Sequence, residues 1–331
     1  MTSAPTDSRT GAVPPFDPEL DQPVRDILAG LPSMTADTIA ERRVRSADGR
    51  MTDEQIRRGG AFSLEERTFP GPGGDLAVLI CRPTAMPGPH GVIVNIHGGG
   101  MVAGHNRTLE LHGELVRAER LGLAVVAVEY RLAPEHPDPA PVEDCYAGLV
   151  WTAGNAAGLG LDPARIVVSG NSAGGGLAAG VALMARDRGG PRLLGQMLQC
   201  PMLDDRCDSP SGRQMVGVGL WDRTSNVTGW TALLGDRRGT PRVSYYAAPA
   251  RAEDLSGLPP MFVDVGSVEA LRDESVAFVS RVWQQGGDAE LHVWAGAFHS
   301  FDQWVPDAVV SGAAQDARIA WLRRILARST G

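Results

Sequence analysis

Basic residues are in the minority: 31 Lys and Arg stand against 39 Asp and Glu, for a formal charge of −8 and a pI of about 5.4. A surface of that sign repels phosphate, which excludes nucleic acid as a partner. Long apolar runs are missing as well. None approaches the ~20 residues that cross a bilayer, which excludes a spanning helix. The start, Met1-Thr2-Ser3-Ala4-Pro5-Thr6, has neither a basic opening nor an apolar stretch behind it, so it reads as a loosely docked lead-in to a cytoplasmic protein. Cysteine is scarce. Cys81, Cys145, Cys200 and Cys207 form no C-x-x-C pair, and three of them sit in the apolar or helical contexts of small buried hydrophobes. The seven histidines form no H-E-x-x-H. His105 and His112, near a helix start, read as part of a solvated helix face. No metal and no structural disulfide are expected. Internal repeats and low-complexity tracts are also absent.

What is present is strand alternating with helix. A length of 331 residues allows one large α/β domain or two small ones with a sizeable core. β-like runs occur at 66–69, 76–80, 92–96, 123–128, 166–168, 196–198, 261–265 and 290–294. Helical stretches fall at about 107–120, 142–157, 175–188, 272–286 and 312–328. This alternation predicts a mostly parallel sheet covered on both faces. The first two runs are joined by Pro70-Gly71-Pro72-Gly73-Gly74-Asp75, a hairpin signal, so the sheet is expected to start antiparallel. Residues 1–60 are rich in Pro, Asp and Arg, with helical patches at 18–31 and 34–49, and read as an N-terminal cap segment. Residues 61–331 read as the catalytic domain. Segment 203–250, with Trp221 and Trp230, breaks the alternation and predicts a cap insertion near 205–240.

The chemistry is carried by Gly170-Asn171-Ser172-Ala173-Gly174. An apolar run leads in and a small-residue helix leads out, the strand–turn–helix context of a serine nucleophile elbow. Small neighbours are needed because the turn is sharp and strained. On its own the pattern equally fits a glycine-rich turn, so the other parts decide. Acyl transfer through serine also needs a base, a group that orients it and donors for an oxyanion. His97-Gly98-Gly99-Gly100 follows a strand run and can turn backbone N–H groups toward a ligand. A phosphate loop is the competing reading, but Met101-Val102-Ala103 follows instead of Lys-Ser or Lys-Thr. His299, on the loop after the last strand run, is the candidate base; His292 lies mid-strand and reads as structural. Asp264, Glu269, Asp273 and Glu274 compete as the acid. Asp264 is within a strand run, while Asp273 and Glu274 open a helix, where acids stabilise the first turn. Glu269, on the loop between, is the best placed.

Taken in order, His97–Gly100, Tyr130-Arg131-Leu132-Ala133-Pro134-Glu135-His136-Pro137, Gly170–Gly174, Leu271-Arg272-Asp273-Glu274 and His299 resemble the hormone-sensitive-lipase-like bacterial esterases of the α/β-hydrolase fold. The resemblance covers about residues 90–302. It implies Ser172, Glu269 and His299 as the catalytic set, with Gly98, Gly99 and Ala173 as oxyanion donors. It also implies a bracing role for His97 and structural roles for Tyr130–Pro137 and Asp144. Three residues depart from the family pattern. Asn171 replaces an Asp before the nucleophile, Glu269 replaces the commoner Asp, and Met101 replaces an aromatic residue, which is expected to reshape the substrate-binding pocket mouth.

The function so implied is a serine carboxylesterase acting on short- to medium-chain acyl esters or lactones of small molecules, with no cofactor. The resemblance also suggests a homodimer. Two alternatives are a non-catalytic small-molecule binding protein on the same fold and an amidase or lactonase tailoring a secondary metabolite.

Overall fold

The computed structural model describes residues 11–328; the first residues of the expected cap, including the polar lead-in, lie outside them. Eight strands form one sheet in the order β1-β2-β4-β3-β5-β6-β7-β8. They are β1 (Phe62–Gly71), β2 (Gly74–Pro83), β3 (His90–Ile96), β4 (Ala124–Glu129), β5 (Leu161–Asn171), β6 (Gly195–Gln199), β7 (Met261–Gly266) and β8 (Ala289–Trp294). The β1–β2 hairpin is antiparallel, and β2 joins β4 antiparallel. From β4 through β3, β5, β6 and β7 to β8 every pairing is parallel. The chain is an α/β-hydrolase fold with a mixed, mostly parallel sheet.

The strand sequences look continuously apolar because both faces of the sheet are covered. Side chains alternate along a strand, and the two sets part accordingly. Val78, Ile80, Val92, Val94, Ile96, Val126 and Val128 face one core, packed by helices Ala140–Leu159 and Ala173–Asp187. Leu79, Cys81, Ile93, Val125, Ala127 and Val167 face the other with Trp321, Leu322 and Ile325, from helix Val309–Arg328. All four cysteines are buried free thiols.

The order of connections fixes where a ligand can sit. From β3 the chain crosses to β4 on one side, then jumps back across β3 to β5 on the other. The loops leaving β3 and β5 therefore diverge, which opens a crevice at their C-terminal ends. Residues His97–Gly104 and Ser172 leave from those two strand ends.

Two segments close over this end. Helices Pro18–Gly30 and Ile39–Asp48 come from the N-terminal region, and helix Arg223–Leu234 comes from the 203–250 segment. They are stitched together where Ser33 donates to Asp222 at 2.9 Å and Met34 N–H donates to Ser225 Oγ at 2.9 Å. His105 departs from the reading of it as a solvated residue. It is 4 % exposed, its Nε2 lies 2.9 Å from Ser46 O, and its Nδ1 accepts from Arg107 N–H at 3.1 Å. It pins the Ile39–Asp48 helix to the glycine loop, a long-range pairing that local sequence does not signal. Among the described residues no helix is long and apolar enough to cross a membrane.

Candidate active site

Ser172 stands between β5 and helix Ala173–Asp187 with φ 58° and ψ −121°. A non-glycine residue there is strained, and its neighbours must be small. A Cβ on Gly170 would lie 2.2 Å from Gly174 O, and one on Gly174 would lie 2.0 Å from Ile96 O. This crowding is why the elbow needs glycine on both sides. The turn is anchored by Ser172 N–H donating to Gln199 O at 2.8 Å, and the hydroxyl is lifted over the sheet edge.

His299 Nε2 lies 2.9 Å from Ser172 Oγ, and His299 Nδ1 lies 3.1 Å from Glu269 Oε1. The second carboxylate oxygen of Glu269 accepts the Gly266 N–H at 3.0 Å. The three side chains thus form one hydrogen-bonded line built from the ends of β5, β7 and β8. All three are at most 5 % exposed. Burial opposes a charged imidazole, but Cys200 and the Glu269 carboxylate favour it and together hold the His299 pKa well above 6.5. The competing acids lie elsewhere. Asp264 accepts from Trp294 Nε1 at 3.0 Å and pairs with Arg318 at 2.7 Å. Asp273 accepts Ser211 N–H at 2.7 Å. Glu274 accepts Leu203 N–H at 2.7 Å.

The glycine loop is more specialised than its sequence suggests. His97 is fully buried, stacked on Tyr130 at 4.1 Å, with Nδ1 2.8 Å from Gly98 O. Burial drops its pKa to about 3, so it is neutral and structural. Tyr130 Oη donates to His97 O at 2.9 Å, and Ala133 N–H donates to Met101 O at 2.9 Å. The Tyr130–Pro137 segment therefore buttresses the loop, itself tied down by Arg131 on the buried Asp144 at 2.7 Å.

Two expectations about this loop are corrected. The Gly98 amide is not open to a ligand: it donates to Glu110 Oε2 at 2.6 Å. Burial pushes the Glu110 carboxyl up to about 7 although the Gly98 N–H pulls the other way. The amides of Gly99, Gly100 and Ala173 carry no such acceptor among the described residues. Met101 is also not at the pocket mouth. Gly99, Gly100 and Met101 have φ of 109°, 64° and 64° in succession, and this left-handed run turns the Met101 side chain, 0 % exposed, into the core.

A cavity of about 360 Å³ opens onto Ser172, His299 and Gly98–Gly100. Leu31, Met34, Arg42 and Arg45 wall it from the N-terminal region, and Leu220 and Trp221 from the 203–250 segment. Trp221 is a wall residue that local sequence does not signal. Its ring is 6.2 Å from the His299 ring, and a Cβ on Gly100 would meet it at 2.4 Å. Its Nε1 donates to Asn226 Oδ1 at 3.2 Å. Trp230 by contrast is core. Asn171 borders the cavity, with its side chain spent on Ser300, which donates at 2.9 Å, and on Cys200 Sγ at 3.4 Å.

A family profile described as alpha/beta hydrolase fold matches residues 93–303. Carboxylesterase NlhH of Mycobacterium tuberculosis is 35 % identical over 268 residues, covering 80 % of this chain and 83 % of the relative. Esterase LipI of the same organism is 32 % identical over 269 residues, covering 77 % and 80 %. A solved bacterial heroin esterase superposes with a TM-score of 0.86 at 37 % identity, covering 94 % of this chain and 98 % of that one. The chain belongs to the hormone-sensitive-lipase-like branch of the α/β-hydrolase-fold family. It is a serine carboxylesterase.

Proposed function

We propose that Ser172 is the nucleophile, His299 the general base and acid, and Glu269 the acid that orients His299. The observation that carries this is the continuous line from Ser172 Oγ to His299 at 2.9 Å and on to Glu269 at 3.1 Å. His299 Nε2 takes the hydroxyl proton as Ser172 Oγ attacks the ester carbonyl. Glu269 holds Nδ1–H, which leaves Nε2 free to accept, and stabilises the imidazolium that forms. His299 then protonates the leaving alcohol. In the second half it takes a proton from water, which attacks the acyl-enzyme and releases the acid.

The oxyanion is received by the amides of Gly99, Gly100 and Ala173, not by that of Gly98. Donors fixed before the reaction need no reorganisation when charge develops, which makes them worth more than donors in water. Ala173 N–H also opens a helix, whose N-terminal end favours negative charge.

The substrate in this proposal is a small acyl ester of short to medium chain. The cavity of about 360 Å³ is at the small end of the range for ligand pockets. The N-terminal region and the 203–250 segment act together as its cap. A cytoplasmic location and a homodimer belong to the same proposal. The four buried free thiols accord with a reducing compartment, and light scattering on the purified protein tests the dimer. Turnover of p-nitrophenyl esters from acetate to decanoate, with Ser172→Ala as control, tests the function. Hydrolysis that peaks at short or medium length and vanishes in the variant is expected. Ser172-independent hydrolysis, or none at any length, would refute it.

A further inference from the structure

Two guanidinium groups stand on the wall of the Ser172 cavity, and they are bound very differently. Arg45 is committed: it pairs with Glu41 at 2.9 Å and donates to Gly30 O at 2.5 Å. Arg42 makes one hydrogen bond, from Nη2 to Pro32 O at 2.9 Å, and no acid lies within ion-pair distance of it among the described residues. Its remaining N–H donors have no acceptor among the described residues. Asp222 is close enough to be felt, but its oxygens are taken by Ser33 Oγ, Gly217 N–H and Ser225 N–H at 2.9, 3.1 and 2.9 Å. Among the described residues the one carboxyl on the cavity wall, Glu110, is bound to the Gly98 amide.

Arg42 is half-buried. Burial, with the charge of Arg45 added, lowers its pKa from the ordinary value, and Glu41 and Asp222 only partly oppose this. A charge drawn out of water without a partner is costly. A guanidinium fork that faces a ligand cavity with free donors is matched in shape by a carboxylate, which it can hold through two parallel hydrogen bonds.

We propose that Arg42 binds a carboxylate carried by the substrate, so that this esterase acts on esters of small molecules bearing one free carboxylate. This rests on the esterase reading of the same cavity. A single uncompensated guanidinium suits a single negative charge, and the apolar cap residues beside it, Leu31 and Met34, suit the carbon chain between that charge and the ester. Arg42 binds substrate at a distance from the reacting atoms; its effect is expected in KM more than in kcat.

The test compares charged and neutral substrates in parent, Arg42→Gln and Arg42→Lys. p-Nitrophenyl hemisuccinate against p-nitrophenyl butyrate places the charge on the acyl side. 4-Carboxyphenyl butyrate against phenyl butyrate places it on the alcohol side. The readout is the charged-to-neutral ratio of kcat/KM. Arg42→Gln is expected to lower one of the two ratios about tenfold, the scale of losing hydrogen bonds to a charged group, and Arg42→Lys to lower it less. Whichever pair responds identifies the side that carries the charge. Both ratios unchanged in Arg42→Gln, or equal losses on charged and neutral esters, would overturn the proposal. A second readout needs no turnover: calorimetric binding of monomethyl succinate to Ser172→Ala, with and without Arg42→Gln. Weaker binding in the double variant supports the carboxylate site and equal binding overturns it. If the parent turns over neither charged nor neutral esters, it is the esterase reading that fails, and calorimetry still decides the role of Arg42.

Discussion

The amide of Gly98 lies 2.6 Å from Glu110 Oε2, so the first glycine of the loop is tied to the opening turn of helix Glu110–Leu121. The bond fixes one end of the peptide run whose next two residues, Gly99 and Gly100, line the cavity. An oxyanion hole depends on donors held in place before charge develops, and in the proposed mechanism Glu110 holds this loop.

Replacing Glu110 by Ala is therefore expected to lower kcat on neutral esters by ten- to a hundredfold, short of the full loss of an oxyanion donor, with little change in KM. Glu110→Gln keeps an oxygen that can accept from Gly98 and should retain most of the rate. Steady-state kinetics on p-nitrophenyl butyrate check both; equal losses in the two variants would remove the positioning role.

The same carboxyl gives a stability signature. Its pKa is raised from 4.5 to about 7 in the folded state, so the folded protein holds this proton more tightly than the unfolded chain. Its favourable contribution is complete below pH 4.5 and is lost as pH rises through about 7. Relative to Glu110→Gln, the parent is thus expected to lose melting temperature between those values. Thermal melts of both proteins across that range check the sign; a parallel pH dependence would contradict it.

Glu269, and neither Asp264 nor Asp273, is expected to govern the rate. Glu269→Gln removes the charge behind the imidazolium, and kcat should fall on the order of 10⁴-fold by analogy with the loss in a serine triad. Asp264→Asn instead disturbs a buried cluster in which Arg318 bridges Asp264 and Asp302. It should cost up to about 3–5 kcal/mol of stability, the penalty for breaking a buried pair, with a modest change in kcat. Kinetics alongside denaturant melts separate the two; near-parent kcat in Glu269→Gln would require a different acid.

Because the His299 pKa is held well above 6.5, the proposed base is protonated and unable to accept a proton at lower pH. The rate kcat/KM is expected to rise with pH through a midpoint above that of an ordinary histidine. Glu269→Gln should move the residual activity's midpoint downward, since the carboxylate favouring the charged form is gone. A midpoint at or below the ordinary value in the parent would contradict this.

The N-terminal helix Pro18–Gly30 packs onto the loop that carries His299. Leu20 and Val24 pack against Phe298 and Phe301, the neighbours of His299, and Asp17 N–H donates to Gly296 O at 3.0 Å. Leu20→Ala should cost about 2–5 kcal/mol and lower kcat through a loosened His299 loop. Deleting this helix should lower activity on every chain length, whereas a pure lid would shift preference among lengths.

Much of this was legible in the sequence because it is local. The strand runs alternate with helices, and Pro70–Asp75 announces the β1–β2 hairpin. Gly170 and Gly174 mark a turn where no side chain fits, and Glu269 and His299 each follow a strand. What escaped depends on contacts between distant segments. Nothing near Glu110 shows that it will capture Gly98. Nothing around Met101 reveals the left-handed run that turns it inward, or around His105 the carbonyl of Ser46 that buries it. Trp221 reads as one more cap aromatic until the fold lays it over Gly100.

The central claim is that Ser172 forms a covalent bond during the reaction, and active-site labelling tests it most directly. A fluorophosphonate probe followed by peptide mass mapping should modify the parent once, at Ser172. Ser172→Ala should fold with a parent-like circular dichroism spectrum and remain unlabelled and inactive. Equal labelling of the variant, or modification of the parent at a different residue such as Ser169 or Ser300, would contradict it.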